Sequence, residues 1–232
     1  MAVRVVVAEG GDERSTEVAP GESWAAAARR VAGPHDPVAL DLSGEVKRFV
    51  LDPEPRVTLR PMTRGDLPAV LRWRSAPHVR RWWADTETPT LDTVTRHYGP
   101  RIDGTEPTRM WVTEVHGRSA GFVQDYRLRD HPGFAVLTPD PDAVGVDYVV
   151  GEPALVDRGV GTAMLWAWVR RAREHYPDVA SYFAAPDHRN RASLRVLDKV
   201  GFVRGTWFDE PQRDGSVTTM VGCTMSVCRV LG

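Results

Sequence analysis

Arg158-Gly159-Val160-Gly161-Thr162 runs directly into a stretch where Met164, Leu165, Trp168, Val169 and Ala172 recur at one-turn spacing, with Pro177 just beyond its end. The periodicity predicts a helix with one buried face and puts the two glycines at its N-terminus. Several backbone N–H groups there lack intrahelical partners, and the peptide dipoles point their positive ends outward, so the turn suits an anion such as a phosphate. Glycine also removes the side chains that would hold a phosphate away. By itself, Gly-x-Gly before a helix equally describes an ordinary tight turn.

The residues that follow narrow the choice. Val179 to Ala184 reads as a strand stopped by Pro186, and a second helix from about Arg189 to Val200 ends at Gly201, with apolar Phe202 next, as in a Schellman stop. Val156-Asp157-Arg158-Gly159-Val160-Gly161, Asn190-Arg191-Ala192-Ser193 and Asp198-Lys199-Val200-Gly201-Phe202 together resemble the GNAT superfamily of acetyl-CoA-dependent N-acetyltransferases. Val156 stands where that pattern usually has Gln or Arg, which removes one side-chain contact and none of the backbone donors. Over roughly residues 56 to 225 the chain is similar to the aminoglycoside 6'-N-acetyltransferases and the related siderophore-lysine acyltransferases. Val57 to Thr63, Asp66-Leu67, His78-Val79, Trp82-Trp83, Pro89-Thr90-Leu91, Ala120 to Tyr126 and Gly145-Val146-Asp147 carry this similarity.

The resemblance implies a mixed α/β fold, a twisted and mostly antiparallel sheet with helices on both faces and a V-shaped split between the strand at 144–150 and the strand at 179–184. It implies acetyl-CoA as acyl donor, its pantetheine arm in the split along Val149 and Val150. Asp157, Arg158, Gly159, Val160, Gly161, Thr162, Asn190 and Ser193 are the other expected cofactor contacts. No metal is expected, since no Cys or His cluster has ligand spacing.

Amide formation from a thioester requires a neutral amine, a donor for the oxyanion and a proton for the departing thiolate. Asp147, between apolar neighbours in a core strand, is the expected base and substrate contact, because such a carboxylate needs a partner and the resemblance places a substrate-contacting Asp there. A backbone N–H within 147–150 is the expected oxyanion donor. Gln124, Asp125 and Tyr126 are candidate acceptor contacts, although strand alternation keeps all three from pointing inward. Adjacent Trp82 and Trp83 offer a wall for a sugar ring or a cation, with core packing the rival reading for one of them. Arg80 and Arg81 beside them argue against a uniformly acidic pocket. Two departures stand out. Leu197 occupies the position where relatives carry the tyrosine that protonates the thiolate, and Ala185 replaces a pocket Asp, with Asp187 and His188 displaced from it. Ser193, one turn before Leu197, is the catalytic substitute considered, and His188 reads more readily as a loop histidine.

Bulk properties exclude other classes. The 232 residues are 42% apolar and 26% charged, ordinary for a globular protein, and a formal charge of −1 gives no basic surface for nucleic acid. No apolar run reaches the roughly 18 residues of a spanning helix, and the start is too short in apolar residues for a signal peptide, so neither membrane nor secretion is expected and a cytoplasmic location is. Cys223 and Cys228, five positions apart on one expected strand, face opposite ways and are not expected to pair.

Residues 1–55 read as a leader of strand, helix and strand, closed by Asp52-Pro53-Glu54-Pro55 and outside the resemblance; 56–232 form the acetyltransferase domain. The leader could extend the sheet, cover an edge strand or help dimerise, so monomer and homodimer both stay open. In the second region Thr63 and Asp66 resemble a capping box, Leu91, Val94 and Tyr98 mark one side of a helix, His116-Gly117 a hairpin, and Asp214-Gly215 a turn. The leading expectation is acetyl transfer to the amine of a small molecule, an aminoglycoside-type aminosugar ahead of a lysine-type siderophore precursor. A catalytically weak acyl-CoA-binding module or a protein acetyltransferase are the other classes.

Overall fold

A computed structural model of the chain describes residues 2–83, 87–131, 138, 140–212 and 215–232. β1 (Arg4–Glu9) turns back into β2 (Asp12–Glu17) through Gly10 and Gly11, whose φ values of 56° and 99° are left-handed conformations natural to glycine. α1 (Trp24–Ala32) starts where Ser23 Oγ accepts from Ala26 N, and β3 (Val38–Asp41) and β4 (Val46–Val50) follow. The strand order β2-β1-β4-β3, with β1 and β4 parallel, makes a sheet of its own. The leader therefore does not extend the main sheet. It stands on two helices of the second region: Leu42 N donates to Lys199 O at 2.7 Å, and Phe49 meets the Trp166 ring edge-on at 5.8 Å. Trp24, Leu42 and Phe49 share one buried cluster with Trp168, Leu197 and Val200, so the boundary near 55 separates sheets and not cores.

From Val57 on, the elements are β5 (Val57–Pro61), α2 (Leu67–Ser75), α3 (Pro77–Arg80), α4 (Leu91–Ile102), β6 (Thr108–Val115), β7 (Arg118–Arg127), β8 (Val144–Val150), α5 (Val160–His175), β9 (Ser181–Ala184), α6 (Arg191–Val200), β10 (Val203–Pro211), β11 (Val217–Ser226) and α7 (Val227–Val230). The strands form a seven-stranded sheet in the order β10-β11-β9-β8-β7-β6-β5. Alternation along β6 and β7 sends Val112 and Phe122 to a cluster with α2 and α4, and Trp111 and Val123 to the cluster with α5 and α6. Helices thus cover both faces, as expected.

β7 and β8 pair antiparallel along their length, from Gly121↔Val150 to Arg127↔Val144. β8 and β9 run parallel and pair only at Val144↔Tyr182 and Gly145↔Phe183. Beyond Gly145 they part, which opens the expected split and leaves β8 from Val146 on without a strand on that side.

Several local expectations shift. Asp66 Oδ2 accepts from Thr63 N at 2.8 Å, as the capping box requires, but Leu91 is 50% exposed while Val94 and Tyr98 are buried, because Leu91 sits at the first turn of α4 outside its packed side. β9 begins at Ser181, not Val179, and α6 begins after Asn190, whose side chain caps it. Gly201, at φ 101°, lets Phe202 N reach back to Leu197 O at 3.0 Å, the Schellman closure. Cys228 lies in α7, past the end of the strand that holds Cys223, and both thiols are free. Asp214 of the last hairpin lies outside the described residues. Among the described residues no helix is long and apolar enough to cross a membrane, and no group of His, Cys, Asp or Glu is arranged to hold a metal.

Candidate active site

Two adjoining cavities open where β8 and β9 part. The first, about 620 Å³, lies between the start of α5 and α6 and is lined by Tyr148, Val149, Val150, Asp157, Gly159, Gly161, Thr162, Asn190 and Ser193. Asp157 and Gly159 both adopt left-handed φ, 59° and 77°, curling the backbone just ahead of α5 into an anion-binding concavity at a helix N-terminus. Gly159 is required by that conformation. Gly161 acts differently from expectation: a Cβ there would lie 3.0 Å from Val196 Cγ2, so this glycine sets how closely α5 approaches α6. Arg158 is exposed and does not line the cavity, and the Val160 side chain is buried against Val115 and Ala120, which leaves only backbone groups of Val160 for a ligand. Asn190 Oδ1 accepts from Ser193 N at 3.1 Å, so its side chain is a helix cap facing the cavity.

Sequence reasoning passed over the charge of this cavity. Arg191, Arg195 and Lys199 recur every four residues along α6 and all line it, together with Arg81 and Arg189, against one carboxylate, Asp157, among the described residues. A basic stripe on a helix reads as a solvated face until its neighbour is known. These cations, the concavity ahead of α5 and the open side of β8 suit a phosphate-bearing ligand with an extended arm.

The second cavity, about 530 Å³, contains Trp82, Trp83, Gln124, Tyr126, Asp147, Ala185, Asp187 and Glu210, with Arg80, Arg81, Arg101 and Arg189 also on its lining. Arg81, Trp82, Trp83 and Arg189 line both cavities, so the tryptophans stand where the two meet. Trp83 is partly buried on Phe122 with Arg74 beneath it, 4.4 Å from the ring centre, while Trp82 carries the Arg81 guanidinium at 5.0 Å.

Asp147 anchors this cavity. Its Oδ2 accepts from Gln124 Nε2 at 2.8 Å and from Tyr126 Oη at 3.2 Å, and Arg101 holds the other end of Gln124 by donating to Oε1 at 2.8 Å. Gly145 makes room: a Cβ there would press to 2.7 Å from the Tyr126 ring. Burial pushes the Asp147 carboxyl above its ordinary value against the pull of the two hydrogen bonds, and burial likewise raises Glu210, to which the charge of Asp147 adds. Among the described residues neither carboxylate forms an ion pair, whereas Asp187 is held by Arg189 at 2.6 Å. Arg101 and Glu210 were not anticipated; on the sequence they are one charge on a helix and one on an edge strand.

Asp125 is a correction. Alternation along β7 turns it away from Gln124 and Tyr126, into the α5 face, where its carboxylate is 2% exposed. It accepts from Trp111 Nε1 at 2.6 Å, Trp168 Nε1 at 3.0 Å and Tyr176 Oη at 2.5 Å, so it joins two strands and a helix and does not line the cavity that holds Gln124 and Tyr126. Asp125→Ala would strand two indole N–H groups and a phenol, and should lower stability by about 3 kcal/mol or more. The expected reading is a depressed thermal midpoint with KM for the acceptor unchanged in the folded fraction; a raised KM at unchanged midpoint would restore Asp125 to the substrate.

The model for the acetyltransferase (GNAT) domain matches residues 63–210. Aminoglycoside N(6')-acetyltransferase type 1 of Klebsiella pneumoniae is 29% identical over 168 residues, spanning 72% of this chain and 79% of that one. The lysine N-acyltransferase MbtK of Mycobacterium tuberculosis is 24% identical over 166 residues, spanning 70% and 78%. The crystal structure of the aminoglycoside acetyltransferase AAC(6')-Ib in complex with coenzyme A and kanamycin aligns with a TM-score of 0.63 at 27% identity, covering 74% of this chain and 95% of that one. With the strands parted at Gly145 and a glycine-opened helix beside the gap, the chain belongs to the GNAT acetyltransferase family and is an acetyl-CoA-dependent N-acetyltransferase.

Proposed function

We propose that the enzyme moves an acetyl group from acetyl-CoA to a primary amine of a small molecule, an aminoglycoside-type 6'-amine first among them, by direct attack within a ternary complex. The observation that carries this reading is Asp147: a half-buried carboxylate with two neutral hydrogen-bond donors and, among the described residues, no direct ion pair, Arg101 reaching it only through Gln124, at the point where the cavities meet β8. A substrate ammonium would form the direct ion pair that no described residue makes with Asp147, and Glu210 in the same cavity adds to the attraction for a polyamine.

Acetyl-CoA supplies the acyl group as a thioester. The backbone ahead of α5 and the cations Arg191, Arg195 and Lys199 would hold its phosphates, and the open side of β8 its pantetheine arm. Asp147 holds the amine and takes its proton, directly or through water. Gln124 and Tyr126 fix the carboxylate so that it cannot turn away, and Arg101 fixes Gln124. A peptide N–H of β8 within 147–150 faces the developing oxygen charge, a fixed donor worth roughly 3 kcal/mol of barrier. Trp82 and Trp83 offer flat apolar surface to the acceptor.

Arg80 and Arg81 on the lining favour a second acceptor class, an amine that also bears a carboxylate, as in lysine derivatives. Thiol release measured over a panel of aminoglycosides, lysine derivatives and simple amines separates the two. Turnover with 6'-amino aminoglycosides but not with their 6'-hydroxy analogues is the expected result, and turnover confined to lysine derivatives would replace the first reading by the second.

A further inference from the structure

Leu197 is fully buried on α6, so no phenol enters the donor cavity from the position where the family resemblance would put one. A phenol enters from the opposite wall. Tyr148 follows Asp147 on β8, and strand alternation directs the two side chains to opposite faces: Asp147 into the acceptor cavity, Tyr148 into the donor cavity. Tyr148 Oη lies 2.7 Å from Ser193 Oγ and 3.3 Å from Ser193 O. Ser193 is itself fixed, because its N–H is taken by the Asn190 cap in the first turn of α6. The hydroxyl pair thus links β8 to α6 on the lining of the cavity between α5 and α6, one residue from the carboxylate that handles the amine.

We propose that Tyr148, steadied by Ser193, gives the proton to the sulfur leaving the acyl group, in place of a phenol at position 197; this rests on the acyl-transfer reading above. As the nitrogen–carbon bond forms, the carbon–sulfur bond breaks and its electron pair stays on sulfur, which takes the Tyr148 Oη proton. Solvent water entering the donor cavity returns a proton to the phenolate, and the surplus proton of the nitrogen leaves through Asp147 to water. The sum is amine plus thioester giving amide plus thiol. A phenol suits the task better than the serine hydroxyl, since its ordinary pKa of about 10 lies near that of a thiol, about 8.5. Burial raises Tyr148 above that ordinary value, against the pull of the Ser193 hydrogen bond, so the phenol stays protonated between turnovers and gives up its proton only as negative charge builds on the sulfur.

Tyr148→Phe tests the proposal with and without turnover. Calorimetric titration should show the wild type binding coenzyme A about five-fold more tightly than desulfo-coenzyme A, as one hydrogen bond to sulfur implies, and Tyr148→Phe should lose that preference while binding both. With a working amine, kcat should fall by about 10²-fold with KM for the amine little changed. Ser193→Ala should show a smaller loss of kcat and a partial loss of the sulfur preference. If Tyr148→Phe keeps the preference for the thiol and turns over at the wild-type rate, the proposal is overturned. A wild type that shows the sulfur preference but acetylates no amine would sink the acceptor reading and leave the sulfur contact standing.

Discussion

Asp147→Asn should lower kcat/KM by about 10²–10⁴-fold, the usual worth of a positioned general base. The substitution is suited to isolating that role, because both hydrogen bonds to the side chain end on Oδ2, and an amide oxygen can accept from Gln124 and Tyr126 as the carboxylate does. The pH dependence separates a base from a mere contact. Burial holds the carboxyl above its usual range, so the wild-type rate should climb as pH rises through that raised value, while Asp147→Asn should keep only the ascent owed to the amine itself. Stability moves the other way. A carboxyl whose folded value is raised favours folding below the unfolded value near 3.9 and loses that contribution as pH climbs through the folded one. The charged form is thus a burden on the fold at neutral pH, and Asp147→Asn should melt no lower than the wild type there. A variant that loses activity together with several degrees of melting temperature would point to a structural carboxylate instead.

What could be read from the sequence follows the range over which each feature is determined. The turn at 157–161 and the stop at Gly201 are fixed by a few consecutive residues, and left-handed glycine leaves a local mark. The parting of β8 and β9 is legible only through resemblance, since no composition marks where two strands cease to pair. Alternation said that Gln124, Asp125 and Tyr126 divide between two faces, but which face is the cleft depends on Trp168 and Tyr176, 43 and 51 residues further on, whose N–H and O–H groups claim Asp125. Tyr148 is illegible for a similar reason: in the sequence it reads as an apolar neighbour of Asp147, and only the fold brings Ser193 of α6 to its hydroxyl. In the leader, β2 has the sequence DERSTE and is almost wholly exposed, so it carries no apolar pattern to read, and Lys47 and Arg48 obscure β4.

Removing residues 1–55 should abolish cooperative melting of the remainder, although every residue proposed for binding and chemistry is retained. Trp166 lies at 2% exposure, and Leu197 and Val200 at 0%, in the cluster that also holds Trp24, Leu42 and Phe49. Each large leader side chain in that contact stabilises by about 1.5–3 kcal/mol, so losing several at once approaches the 5–15 kcal/mol by which a typical domain is stable. The truncation also strips Lys199 O of the Leu42 N–H and uncovers the C-terminal turn of α6, the helix that presents Ser193 and the basic stripe to the donor cavity. A graded version keeps the result interpretable: Phe49→Ala, which removes the edge contact to Trp166, should cost about 3–5 kcal/mol and leave KM for acetyl-CoA unchanged while the protein is folded. A truncated chain that melts as sharply and as high as the full one would show that the acetyltransferase sheet needs no cover on its α5 and α6 side. The leader would then be free to serve a partner, and the buried cluster that joins it to α6 would be an interface and not a core.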